Sequence, residues 1–207
     1  MAESINFRGI KDFEKRLEEA ETKTLRAASS ALNKGADYLR KRGVEEVVKQ
    51  VSLTRPYARK NLTVTERAQP KHGRLSSTVT GRKRPTSLLR FDGVDLGRGK
   101  GVSVNVAGRR RVIRRGFPMK LKGRGGQGEN VGLAIRLPKN DRIKNKRIVR
   151  KPLFKDKDTG IWLLYGPSVD QIFRNATRPM QGFPDKVMPD TYEVIQKEFE
   201  RAFRANF

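Results

Sequence analysis

The sequence predicts an α+β fold: a long N-terminal helix packed on an antiparallel β-sheet with long basic loops, closed by a C-terminal helix. Three observations predict it. Residues 10–42 place apolar side chains at three- and four-residue steps, the period of one helix face. Five segments between 62 and 166 are short, rich in β-branched residues and bounded by Gly or Pro. Residues 190–203 return to helical spacing behind a capping signal.

In the N-terminal stretch the stripe is Ile10, Phe13, Leu17, Ala20, Ala27, Ala28, Ala31, Leu32 and Leu39. Thr24 and Gly35 interrupt it without shifting its phase, and Glu, Lys, Arg, Ala and Leu fill the remaining positions. A helix of roughly 30 residues is about 45 Å long, more than one compact domain requires. Such a helix crosses a sheet or packs on a neighbouring subunit. The small residues AASSA at 27–31 would let another backbone approach closely. Gly43 reads as a stop or kink, with Val44, Val47, Val48 and Val51 continuing a second piece.

In SLTRPYARKNL, Ser52 or Thr54 can cap and Pro56 suits a first turn, which predicts a short helix over 55–61. LTVTERA, RLSSTVTG, GVSVNVAG, GLAIRLP and IWLLYG then read as strands of an antiparallel sheet. In VSVNV, Val102, Val104 and Val106 share a face, whereas Trp162-Leu163-Leu164 is apolar on both faces and predicts a central strand. GRGKG at 97–101 and GRGGQG at 123–128 read as flexible loop tips. The span 108–130 is polar and Gly-rich, and a long loop or a flexible hairpin arm, poorly ordered when free, is expected there. At the C-terminus Asp190 and Glu193 have capping-box spacing behind Pro189, with Tyr192, Ile195, Phe199 and Phe203 as the apolar stripe. The chain thus reads as one domain over 1–207: a helical region (1–50), a short helix and strands (51–107), the basic arm (108–130), strands and a turn (131–173), then a linker and the last helix (174–207).

Charge is the strongest compositional signal. The 207 residues carry a net charge of +25 and no cysteine, so disulfides and thiolate metal sites are excluded and a reducing compartment is expected. The distribution is uneven. Residues 1–50 hold eleven bases and nine acids, and residues 185–207 four and five. Residues 67–128 hold seventeen bases and only two acids, Asp92 and Asp95, and a second basic block runs from Lys139 to Lys157. Balanced ends around a cationic middle point to a surface that faces a polyanion. No secretory signal and no membrane-spanning run is read, so a cytoplasmic site of synthesis and no membrane partner are expected.

Catalytic equipment is sparse. The single histidine, His72, lies in a basic loop with no nucleophile turn beside it. GRGKG lacks the spacing and the Ser or Thr of a phosphate loop. Asp92 with Asp95, and Asp156 with Asp158, read as turn formers rather than metal ligands. No catalytic residue, metal or cofactor is therefore expected, and the chain reads as a non-enzyme. The candidate contacts for DNA or another polyanion are Arg109, Arg110, Arg111, Arg114, Arg115, Lys120, Lys122 and Arg124. Only Phe117 interleaves with them, so phosphate contact without base readout is expected.

The run LLYGPSVDQIF, Leu163–Phe173, resembles a segment of tail components of tailed bacteriophages. The order of features resembles the minor tail protein Z family, the tail completion proteins: the helix with AASSALNKGADYLRK, then VSLTRPYARKNLTV, the Arg-rich centre around GRRRVIRR, the YGPSV turn and the closing amphipathic helix. The resemblance covers roughly Leu25–Phe203. It implies a structural protein of the virion tail or neck, made in the host cytoplasm, that finishes the tail for joining to the head. It further implies a homo-oligomer in a sixfold ring, with other tail and neck proteins as partners. The charge map adds that the basic loops face the genome, without sequence specificity, or acidic neighbours. A nonspecific nucleic-acid-binding protein of ribosomal or chromatin type is the alternative, and a nuclease of scattered carboxylates a third. Within the matching segment, Tyr165, Gly166, Pro167, Ser168, Ile172 and Phe173 are candidates for a subunit or partner contact. Their other reading is a strand-to-helix corner packed on its own core, with Pro167 ending the strand and Ser168 capping Val169–Phe173.

Overall fold

A computed structural model describes residues 8–72, 74–121, 130–136, 149–152, 160–174 and 183–206. The fold is α+β, with a long N-terminal helix, antiparallel sheets and a C-terminal helix. The chain divides into two compact units, residues 1–42, 64–80 and 184–207 in one and residues 43–63 and 81–183 in the other.

Helix α1 spans Arg8–Gln50 without a break. The first unit is built from its residues up to 42, the hairpin of β1 (Leu62–Glu66) and β2 (Thr78–Gly81), and α4 (Phe183–Asn206). Small residues allow close packing on α1. Ala27, Ser29, Ala31 and Ala36 are buried, and a Cβ placed on Gly35 would lie 2.4 Å from Ile195 Cγ1 of α4. Polar contacts set the register. Ser30 donates to Glu198 at 3.1 Å, and Asn33 exchanges hydrogen bonds with the Ala68 backbone at 3.1 and 2.9 Å. Arg67 clasps the Asp37 carboxylate with two nitrogens, at 2.8 and 3.2 Å.

The expected start of the last helix at Asp190 is corrected. α4 begins at Phe183 and runs through Pro189, which lies in its interior. Proline there removes one backbone hydrogen bond, but Val187, Thr191 and Ala202 are buried, and Thr191 Oγ1 donates to the Val187 carbonyl at 2.8 Å. Packing outweighs the local break. The packed face differs in part, because Tyr192 and Phe203 are 62% and 36% exposed, whereas Ile195 of the same stripe packs against Gly35.

In the second unit, Val44, Val47 and Val51 of α1 are buried, with Leu53, Ala58 and Leu62 from the following segment. The stop predicted at Gly43 is absent. A Cβ there would lie 2.7 Å from the Phe173 ring and 2.8 Å from Leu62 Cδ2, so glycine serves close packing inside a continuous helix. Helix α2, Arg55–Asn61, forms where expected, with Pro56 in its first turn and Thr54 at the N-cap position.

Strand β10 (Ile161–Gly166) is the centre of the larger sheet. It pairs antiparallel with β8 (Asn130–Arg136) along Ile161–Leu164, with β9 (Val149–Pro152) along Trp162–Tyr165, and with β3 (Thr86–Ser87) at its end. Strand β7 (Gly116–Leu121) extends the sheet beyond β8. Leu163 and Leu164 point to opposite faces and both are buried, as a central strand requires. A separate three-stranded ribbon consists of β4 (Val94–Asp95), β5 (Val102–Asn105) and β6 (Arg110–Ile113). Of the loop or hairpin arm expected over 108–130, the loop is corrected, since 110–113 and 116–121 are paired strands and the latter is antiparallel to the next strand, β8; residues 122–129 lie outside the described residues.

After β10 the chain turns into α3, Val169–Arg174. The Gln171 N–H donates to Ser168 Oγ at 3.1 Å, and Gln171 Oε1 accepts from the Ser168 N–H at 2.9 Å. This reciprocal cap matches the expected role of Ser168.

Two predictions follow from this packing. A Cβ on Gly81 would lie 2.6 Å from Asp170 Cα and 2.9 Å from Asp170 N, main-chain atoms held by the Asp170 N–H bond to the Arg82 carbonyl. Gly81→Ala is expected to cost about 1–3 kcal/mol in urea unfolding, although alanine is normally the safer strand residue. The second concerns acid. Hydrogen bonds from Arg201, against some opposition from burial, and then the Ser30 hydrogen bond and the Arg201 and Lys34 charges, hold the Glu198 carboxyl at about 2. A depressed carboxylate contributes stability above its ordinary 4.5 and loses it as pH falls towards about 2. The stability advantage of the protein over Glu198→Gln is therefore expected to vanish across that window in pH-dependent unfolding.

Candidate polyanion interface on the three-stranded ribbon

The ribbon is built by alternation. Its register sets Val102 against Ile113 and Val104 against Arg111, while Ser103 lies between Val94 and Val112. Val102 and Val104 are buried at 0% and 4% exposure. The neighbouring Phe91, also fully buried, accepts the Asn105 N–H at its carbonyl, 2.9 Å. One face is thus anchored in the unit, and the arginines are left at the ends, the edge and the outer face.

The turn between β4 and β5 is GRGKG, and it is a closed structure rather than a loose tip. The Leu96 N–H donates to Gly101 O at 3.0 Å, the Lys100 N–H to Gly97 O at 3.1 Å, and the Gly97 N–H to Asp95 Oδ1 at 3.0 Å. Gly97, Gly99 and Gly101 have φ of 91°, 79° and 86°, a region in which side-chain-bearing residues are strained. Beside this turn lies the connection from β6 to β7. A Cβ on Gly101 would sit 2.2 Å from Ile113 O and 2.7 Å from Arg114 Cα. Two sequence-distant basic pieces therefore meet at one end of the ribbon, where the main chain at Gly101 abuts that of Ile113 and Arg114. Arg98 and Lys100 on one piece, and Arg114 and Arg115 on the other, are exposed.

The remaining candidates divide. Arg109 is exposed in the turn before β6, at the opposite end, and Arg111 is exposed on β6. Arg110 is also on β6, but its guanidinium pairs with Asp92 and donates to Ser103 Oγ at 3.3 Å. It serves the ribbon's own structure. Asp92 adopts a φ of 48°, a left-handed conformation that Asp tolerates better than most residues. Lys120 is exposed on β7, in the larger sheet. Among the described residues Arg98, Lys100, Arg109, Arg111 and Arg114 have no carboxylate partner. Lys122 and Arg124 lie outside the described residues, as do Asp156 and Asp158.

The second candidate set forms a corner. Tyr165, Gly166 and Pro167 are half-buried, whereas Ser168, Ile172 and Phe173 are 1%, 6% and 6% exposed. A Cβ on Gly166 would lie 2.9 Å from the Phe91 ring. Ile172 and Phe173 thus belong to their own unit's core and present no exposed knob.

Sequence reasoning missed the partnership of the GRGKG turn with Arg114–Arg115, since only strand register brings them together. It also missed a cleft of about 490 Å³ lined by Ser52, Thr54, Tyr57, Arg90, Asp92 and Val131, among others. There the Arg90 guanidinium stacks over the Tyr57 ring at 4.8 Å, and Tyr57 Oη accepts from Arg82 at 3.1 Å. These groups satisfy one another. Among the described residues no three His, Cys, Asp or Glu side chains gather as a metal site would require. No family model, curated protein or solved structure matches the chain.

Chemically the ribbon end is a set of exposed guanidinium and ammonium groups on a short, braced scaffold, suited to phosphate oxygens and without a base-stacking ring among them. The glycines make the brace testable. Gly101→Ala combines a strained φ with a main-chain clash and is expected to cost about 2 kcal/mol or more. Gly99→Ala has open space around it and is expected to cost only about 1 kcal/mol. Parallel denaturant titrations check that order.

Proposed function

We propose that this chain is a structural component of a tailed-phage virion, a tail completion or neck part that readies the tail for joining to the head, with its cationic ribbon turned toward the phosphates of DNA. The observation that carries the electrostatic half is the meeting, at one end of a braced ribbon, of the GRGKG turn with its exposed Arg98 and Lys100 and the turn that bears exposed Arg114 and Arg115. The resemblance of Leu163–Phe173 and of the order of features along the chain supports the virion half. The folded YGPSV corner is compatible with it, since strand, proline break and capped helix form an element that a scaffold part can use.

Contact of this type neutralises phosphate and releases counterions, so it is sequence-independent and weakened by salt. From Arg110 to Ile113 the strand advances about 10 Å at ~3.4 Å per residue, long enough for more than one phosphate of a duplex. A net charge of +25 also opposes self-assembly, and a polyanion threaded past the assembled subunits would offset that repulsion.

Two measurements test the reading. In duplex-DNA titrations, replacing Arg98, Lys100 and Arg114 with Ser is expected to reduce the slope of log affinity against log salt by roughly 2.7, three phosphates at ~0.9 each. Arg110→Ser, already held by Asp92, is expected to change it least. An unchanged slope in the triple variant overturns the electrostatic half. The ring is tested by mass, six copies of a 23.6 kDa chain being roughly 140 kDa. A monomer in solution together with absence from isolated tails favours the ribosomal or chromatin-type alternative.

A further inference from the structure

The ribbon's outer face does not suit DNA, and its composition points to a second partner. Val94, Leu96 and Val112 are 44%, 38% and 52% exposed, three of the few large apolar side chains left in solvent among the described residues. They belong together. Val94 and Val112 flank Ser103 in one cross-strand row, and Leu96 follows Val94 by two positions, just past the strand end. Ser103 itself is covered, because the Arg110 guanidinium lies on it. Among the described residues β6 pairs only with β5, so its other edge offers a row of unmatched backbone donors and acceptors. An exposed apolar row beside an open strand edge is a template for strand addition.

Charge selects the edge and the occupant. The β4 edge carries Asp95, with Asp92 nearby in sequence, whereas β6 is lined by Arg109, Arg111 and Arg114. A second copy of this chain, at +25, is repelled from such an edge. Phosphates would leave Val94, Leu96 and Val112 unserved. We infer that β6 accepts an added β-strand from an acidic protein neighbour, in which carboxylates alternate with apolar residues. An apolar side chain then lies beside Val112 on the outer face, and a carboxylate beside Arg111 on the other. This inference does not rest on the proposed function, since the apolar row and the open strand edge carry it, although both readings draw on Arg114.

The test uses the full chain and two labelled octapeptides of equal charge, one alternating Glu with Val and one alternating Glu with Ser, in fluorescence anisotropy at about 100 mM salt. The Glu/Val peptide is expected to bind about tenfold tighter or more. Val112→Lys should bring that preference to about twofold or less while leaving DNA binding equal or stronger, because it adds a cation and removes the apolar contact. Val112→Thr keeps the β-branched shape and should give an intermediate loss. Equal binding of the two peptides, binding of neither, or a preference that survives Val112→Lys each overturns the inference. DNA binding that weakens in Val112→Lys would instead assign the face to nucleic acid.

Discussion

A chain with 47 basic and 22 acidic residues has to gather its uncharged side chains on a few elements if it is to hold together at all, and in the second unit β10 is where they gather. Its leucines are covered on both faces, and three strands take their register from it. The corner that follows adds Ser168, Val169, Ile172 and Phe173 to the same interior. With this much burial concentrated in about a dozen residues, the rest of the unit can carry charge. Strand β7 and the ribbon need only one covered face each, and their other positions are open to arginine and lysine. The usual worth of a fully buried large aliphatic or aromatic side chain is about 1.5–3 kcal/mol. A handful of such residues therefore outweighs the small gains and losses of exposed ion pairs, which are typically below about 1 kcal/mol.

That hierarchy explains what could be read from the sequence. The central strand was legible because Trp162-Leu163-Leu164 is apolar without alternation, and VSVNV because its alternation is clean. The cap at Ser168 was legible because a serine stands directly behind the Gly166-Pro167 break, and the structure adds Gln171 as its reciprocal partner. Strands β6 and β7 were not legible. In Arg110–Ile113 only Val112 and Ile113 are apolar, and their neighbours are arginines, so no period appears. Pairing with β5 supplies the order that composition hides. The same cause concealed half of the candidate site. Arg98 and Lys100 sit 14 or more positions before Arg114, and no local rule joins them until Val102 is set against Ile113. Gly43 and Pro189 misled in the opposite direction. Each is a poor helix residue by itself; Gly43 packs against Phe173 and Leu62, and Pro189 lies in a helix whose Val187 and Thr191 are buried, neither of which sequence spacing reveals.

The arginine run that looks uniform in sequence is divided in the structure by the pleat. Arg110, on the outer face, reaches Asp92 and Ser103 and is consumed as a structural clasp. Arg111, one residue on, has the opposite orientation and no carboxylate among the described residues. Arg114 and Arg115 lie past the strand, in a turn set by the approach of Gly101. Counting positive charge therefore overstates what is available to a partner. Arg110 is spent on holding the ribbon in shape, and that shape places the segments that carry the others.

An exposed apolar row on so cationic a ribbon would be a poor arrangement for a chain that met only water and DNA. Valine and leucine in solvent forgo burial, and an open strand edge invites adventitious pairing. The surrounding arginines suppress pairing with another copy of the same chain, because that approach brings like charges together at short range. They do not suppress pairing with a strand that carries carboxylates; they favour it, by the same Coulomb term with its sign reversed. The positive charge of β6 thus acts as a filter as well as an attractor. On the strand-addition reading it would keep an otherwise adhesive edge open for an acidic neighbour and leave the exposed cations at the ribbon's end to phosphate.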